Sequence, residues 1–180
     1  MNTKSISIIF IILIFLITGF FVFFRNSGTL PVKTENLSCV TKTEIYKIKG
    51  NSLEPFIKDG TVVEGLLGYY NCNQVKRGDL VVIKFKTREE SFIKIIKAVP
   101  GDRLEFIGRN LKVNDKILEN SEGKPYIFND RDKKLISIPL KNNIIPQGYY
   151  LVLSNQANIG FDSRQYGLIE KDQLKGKVIL

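Results

Sequence analysis

Histidine is absent from all 180 residues. Its absence removes Ser-His-Asp and Cys-His catalysis, and the commonest zinc ligand goes with them. Only two cysteines are present, Cys39 and Cys72, too few for an ordinary structural zinc site. They can form one disulfide in an oxidising compartment or stay as two buried thiols, and the sequence leaves both open. No metal and no cofactor is expected. There is no internal repeat or low-complexity tract, and beyond residue 25 no stretch sustains a long helical period.

One long hydrophobic run is present. Residues 6–24 are apolar apart from Ser7, Thr18 and Gly19. As a helix the run reaches about 28 Å, close to the hydrocarbon thickness of a bilayer. It ends Phe23-Phe24-Arg25, without the small-x-small pattern of a cleaved leader, so a retained anchor over 1–25 is expected. Lys4 is the only charged side chain before Arg25, so nearly all of the formal charge of +9 lies beyond the run. That excess suits a surface facing anionic lipid. Lys and Arg are interspersed with acids and form no basic stripe, which argues against nucleic acid.

Residues 26–43 mix Ser, Thr, Asn, Gly and Pro with charges and read as a juxtamembrane linker. From 44 to 180 short runs rich in Ile, Val, Phe and Tyr alternate with turn residues. Strands are expected at 45–49, 61–66, 80–85, 92–99, 103–107, 110–113, 149–153 and 176–180. Asn114-Asp115 marks a hairpin into Ile117-Leu118, and the only helical turn is expected near 55–58. The fold class is mainly β: an antiparallel, barrel-like domain preceded by one transmembrane helix, with no sign of an oligomer.

Gly50-Asn51-Ser52-Leu53-Glu54-Pro55 follows a predicted strand, where a glycine lets the backbone turn and expose the next side chain. A serine beside a glycine is usually only a turn residue. To act as a nucleophile Ser52 needs a base, and without histidine the candidates are a carboxylate or a lysine kept neutral by burial. Work near neutral pH requires surroundings that cost the ammonium form about 4 kcal/mol. Phe92-Ile93-Lys94-Ile95-Ile96-Lys97-Ala98-Val99 sets two lysines in an otherwise apolar strand. Alternation puts Lys94 with Phe92, Ile96 and Ala98, and Lys97 with Ile93, Ile95 and Val99. Either lysine can snorkel to solvent, and spacing does not choose between them.

Four ordered motifs carry a resemblance. They are 50–55 with Gly60, Arg77-Gly78-Asp79-Leu80-Val81-Val82, Lys94 with Pro100-Gly101-Asp102, and Asp162-Ser163-Arg164-Gln165-Tyr166-Gly167. Together they resemble the signal peptidase I family of Ser-Lys membrane peptidases, nearly from the anchor to the C-terminus. The offset to Pro100-Gly101-Asp102 selects Lys94 over Lys97.

The resemblance implies a membrane-anchored serine endopeptidase that removes signal peptides from exported preproteins after small residues. Its catalytic domain would lie on the extracytoplasmic side. Ser52 would attack, Lys94 would act as general base, and the Ser52 N–H would hold the oxyanion. By position, Ile48, Leu53, Ile57 and Ile93 would line the substrate pocket, with Asp162, Ser163 and Arg164 supporting the site. Leu53 stands for the usual Met, Ile95 for Arg, and Ser154-Asn155-Gln156 for Gly-Asp-Asn. Gly160 occupies a place where many members carry a serine that orients the lysine, leaving that task to Ser163 or a main-chain carbonyl. A pilin-maturing conjugative peptidase of the same clan, which also ends in a Phe-Asp-Ser-Arg box, is the nearest alternative. An inactive membrane-tethered β binding domain is the alternative from another class.

Overall fold

The computed structural model describes residues 35–86 and 88–180. The expected anchor at 1–25 lies outside these residues, among which no helix is long and apolar enough to cross a membrane. Among the described residues ten strands, all paired antiparallel, form two sheets. They are β1 (Lys42–Lys47), β2 (Val62–Leu67), β3 (Leu80–Lys84), β4 (Ser91–Ala98), β5 (Leu104–Ile107), β6 (Asn110–Val113), β7 (Lys116–Ile117), β8 (Tyr149–Leu153), β9 (Ile169–Glu170) and β10 (Leu174–Ile179).

The larger sheet has the order β1-β2-β10-β3-β4-β8-β9, and the smaller is β5-β6-β7. The larger sheet has two ends, β1 and β9, so the barrel-like closure expected from the sequence is not made by strand pairing. The C-terminal strand β10 lies between β2 and β3, which ties the end of the chain into the sheet.

Apolar side chains bury both faces of the centre of this sheet. On β3, Leu80 and Val82 join a cluster with Ile48, Leu53, Ile57, Val63, Ile95 and Val178, whereas Val81 and Ile83 join another with Phe85, Ile96 and Val152. A strand covered on both faces reads as a continuous apolar run, which is the pattern of residues 80–83. The smaller sheet packs on a third cluster containing Leu104, Leu111, Tyr126, Phe128 and Ile136. Asn114 and Asp115 both have positive φ, 49° and 68°, as a two-residue hairpin of the twisted kind requires.

Residues 55 and 56 lie in a turn where the Ile57 N–H donates to Leu53 O at 2.9 Å, without an assigned helix, and the longest helix among the described residues is α1 (Asp130–Ser137). Its Asn129 cap accepts from the Asp132 N–H while the Asp132 carboxylate accepts from the Asn129 N–H. That reciprocal box stabilises a helix of charged residues that buries only Asp132 and Ile136. A second helix, α2 (Ser163–Tyr166), is a single turn.

Cys39 and Cys72 form a disulfide across 33 residues of sequence. It fastens the stretch before β1 to the 3-10 turn Tyr69–Asn71 that follows β2. Closing a loop of this length removes about 3–4 kcal/mol of unfolded-state entropy. The paired change Cys39→Ser and Cys72→Ser is therefore expected to lower the thermal midpoint by several degrees, measurable by calorimetry with and without reductant.

Candidate active site

Ser52 lies in the loop between β1 and β2. The neck of that loop is closed by Ile48 N–H donating to Thr61 O (2.8 Å) and Gly60 N–H to Ile48 O (2.9 Å). Gly50 has φ of +76°, a left-handed turn that a side chain would strain, and its N–H donates to Asp59 Oδ1 at 2.7 Å. Leu53 and Ile57 are buried beneath the loop and hold it to the sheet like two pegs. The hydroxyl of Ser52 is thus displayed on a turn whose apolar neighbours are anchored.

Lys94, in the middle of β4, is only 4% exposed. Its Nζ lies 3.3 Å from Ser52 Oγ and 3.1 Å from Ile93 O. Burial pushes its pKa below the ordinary lysine value; Asp162 opposes this and Arg164 adds to it. Because Asp162 and Arg164 are paired with each other, their fields largely cancel at Lys94, and desolvation decides the direction. Lys97 is also pushed down by burial, but it donates to Glu119 O at 3.2 Å and sits over the Tyr126 ring. Lys94 is the more deeply buried of the two lysines, and it alone reaches Ser52.

A cleft of about 370 Å³ opens onto Ser52 and Lys94, walled by Tyr46, Ile48, Leu53, Phe92 and Ile93 and rimmed by Lys47, Lys49, Glu90 and Ser91. Of the four residues expected to line a pocket, Ile48, Leu53 and Ile93 do so, while Ile57 packs behind them in the same cluster. A second cleft of equal volume, between Asn73 and Pro100, contains no serine, threonine or cysteine in its walls. The Ser52 N–H donates to no acceptor among the described residues, which leaves it available to a ligand.

Asp162, Ser163 and Arg164 are all buried. Arg164 Nη2 donates to Asp162 Oδ2 (2.7 Å) and Ser154 Oγ (2.9 Å), and Nε to Asp162 Oδ1 (3.0 Å). Asp162 Oδ2 also accepts from the Ser154 N–H at 2.8 Å. Ser163 Oγ accepts from the Val152 N–H at 2.9 Å, so this hydroxyl holds β8; the main-chain carbonyl beside Lys94 is that of Ile93. A β-carbon placed at Gly160 would collide with Arg164 Nη2, Asp162 Oδ2 and Ser154 Oγ, so a side chain there requires these side-chain ends to shift. Arg164→Met leaves Asp162 buried and unpaired, and a loss of about 3–5 kcal/mol is expected in denaturant unfolding.

The remaining two motifs meet at the end of β4. Arg77 Nε donates to Asp102 Oδ2 at 2.7 Å, and the carboxylate also accepts from the Val99 N–H and Asn114 Nδ2. Burial alone would raise the Asp102 pKa, but these donors hold it below the usual carboxylate value. The residues that sequence reasoning assigned no role are Tyr126, whose hydroxyl donates to Ser154 O at 2.7 Å, and the amides of Asn155 and Gln156. Their contacts span 28 to 105 positions, so no local pattern signals them.

The family described as signal peptidase, peptidase S26, matches residues 3–180. A signal peptidase IB of Staphylococcus aureus is 34% identical over 142 residues, covering 74% of each chain. A signal peptidase I of Bacillus licheniformis is 28% identical over 142 residues, covering 74% of this chain and 73% of that one. A solved signal peptidase I of Enterococcus faecalis superposes with a TM-score of 0.46 at 19% identity, over 59% of this chain and 98% of that one.

Proposed function

The chain belongs to the signal peptidase family, peptidase S26, and from that membership we propose that Ser52 is its nucleophile and Lys94 its general base. As a member it is a serine endopeptidase that removes N-terminal signal peptides from exported proteins. The observation that carries the assignment is the 3.3 Å approach of a buried lysine amine to a serine hydroxyl at the floor of an apolar cleft.

Neutral Lys94 Nζ takes the Ser52 hydroxyl proton as Oγ bonds to the carbonyl carbon before the cut. The carbonyl oxygen, now negative, accepts from the Ser52 N–H, a donor already aimed by the fixed turn. Collapse breaks the C–N bond, and the Lys94 ammonium gives its proton to the leaving amine. Lys94 then takes a proton from water as the hydroxyl attacks the ester, and returns it to Ser52 Oγ as the ester C–O bond breaks, freeing the signal peptide and restoring the neutral amine and the serine hydroxyl. Ile48, Leu53 and Ile93 form shallow apolar walls that admit small side chains at the first and third positions before the cut. The same walls exclude water from Lys94, so specificity and base activation share one set of residues.

The family is membrane-associated. For this chain the reading is a single anchor over 1–25 with the catalytic domain on the extracytoplasmic side, bearing against anionic lipid and working as a monomer. The Cys39–Cys72 disulfide supports that side, because disulfides persist in oxidising compartments. The test is to reconstitute the full chain in phospholipid vesicles with a preprotein carrying an Ala-x-Ala site and locate the cut by mass spectrometry. Cleavage after the second Ala is expected. Cleavage elsewhere, or none with several preproteins, contradicts the reading.

A further inference from the structure

β4 and β8 pair with Ile95 opposite Leu153 and Ile96 opposite Val152. One step further along this antiparallel register, Ser154 stands opposite Lys94. From that position the chain turns away from the sheet and runs under the Ser52 loop. The Asn155 N–H donates to Ser52 O at 2.7 Å, Asn155 Nδ2 to Glu54 O at 2.9 Å, and Gln156 Nε2 to Asn51 O at 2.8 Å and Glu54 O at 3.3 Å. Two consecutive residues, Asn155 and Gln156, thus follow the position beside the lysine and bind the carbonyls of the serine and of its neighbours on both sides.

We propose that Asn155 and Gln156 are positioning residues, a brace that sets the distance between Ser52 and Lys94. The far end of the brace is rigid. Ser154 is fully buried, its N–H donates to Asp162, its Oγ accepts from Arg164, and its carbonyl accepts from the Tyr126 hydroxyl. Asn155 is itself buried and oriented by a third group, its Oδ1 accepting from the Ser121 N–H at 3.1 Å. That bond assigns the amide's nitrogen to the Glu54 side. By contrast, among the described residues the outer face of the Ser52 loop is held by bonds within the loop, such as Gly50 N–H to Asp59 and Asp59 N–H to Glu54 Oε1. Without the brace the serine turn keeps its pegs, Leu53 and Ile57, but loses the contacts that register it against β4. An error of about 1 Å in such an approach costs roughly 100-fold in rate.

The inference rests on the Ser52 and Lys94 assignment, and the experiment separates the two. Asn155→Asp keeps shape and the Ser121 bond but turns a donor toward Glu54 O into an acceptor, and Gln156→Ala removes the partly exposed second amide. Both are made in the full chain beside Ser52→Ala, and kcat is taken from each variant's own pH plateau, so that any effect of the new charge on the base's pKa drops out. A kcat lower by about 10- to 100-fold in Asn155→Asp, with KM changed less than threefold and the parent's thermal midpoint nearly kept, is expected. Gln156→Ala is expected to show a smaller loss in the same direction. Parent-like kcat in both variants overturns the brace, as does a loss confined to KM or one that only follows a collapse of the thermal midpoint. Full activity in Ser52→Ala instead overturns the assignment beneath it.

Discussion

Ser52→Ala is expected to lower kcat/KM for preprotein cleavage by at least about 10⁴-fold, with the fold and the thermal midpoint unchanged. Among the described residues, Ser52 Oγ is the only side-chain atom hydrogen-bonded to Lys94 Nζ. Ser91 lies in the same cleft, at the first residue of β4, but makes no bond to the lysine. Ser91→Ala should therefore retain most of the activity, which makes it the control for a general disturbance of the cleft. Truncating a half-buried hydroxyl on an anchored turn removes little packing, because Leu53 and Ile57 beside it carry the burial. An inactive, normally folded Ser52→Ala together with an active Ser91→Ala is the expected pair of results.

Lys94→Met should abolish turnover to a comparable degree while leaving the protein at least as stable as the parent at neutral pH. The reason lies in the sign of the linkage. The folded state depresses the Lys94 pKa through burial, so between that depressed value and the ordinary lysine range, near 10.4, the unfolded chain binds more protons than the folded one. Stability contributed at this site therefore rises with pH through that window and is least below it. Methionine fills a similar volume without a charge to desolvate, so the cost disappears. Lys94→Arg is expected to be inactive too, since a guanidinium stays charged and cannot accept the serine proton. Loss of turnover without loss of stability, measured by cleavage and denaturant unfolding on the same samples, separates a missing base from a damaged fold.

The sequence carried those parts of the fold whose signal is local. Continuous apolar runs marked β3 and β4, and Asn114-Asp115 marked the hairpin between β6 and β7. The helix α1 was missed because its stability comes from the Asn129 and Asp132 cap and not from an apolar stripe. The short β9 pairs through only two residues, too few to show any alternation. At the site, an apolar strand with a lysine inside it was legible, but the choice of its orienting group between Ser163 and a main-chain carbonyl was not. The carbonyl beside Lys94 belongs to Ile93, and a main-chain atom leaves no trace in side-chain identity. Asn155 and Gln156 registered only as departures from a familiar pattern, because their meaning depends on carbonyls 101 to 105 positions away. The choice between thiols and a disulfide for Cys39 and Cys72 likewise rested on a proximity that sequence spacing does not determine.

The pH dependence of kcat/KM tests the central claim most directly, because it reports the protonation of the free enzyme's base. Activity is expected to rise with pH along a single limb as Lys94 gives up its proton, and to level off well below the ordinary lysine value of about 10.4. A profile flat from acid to neutral pH, or one still climbing beyond about pH 10, would show that a desolvated lysine is not the group that activates Ser52.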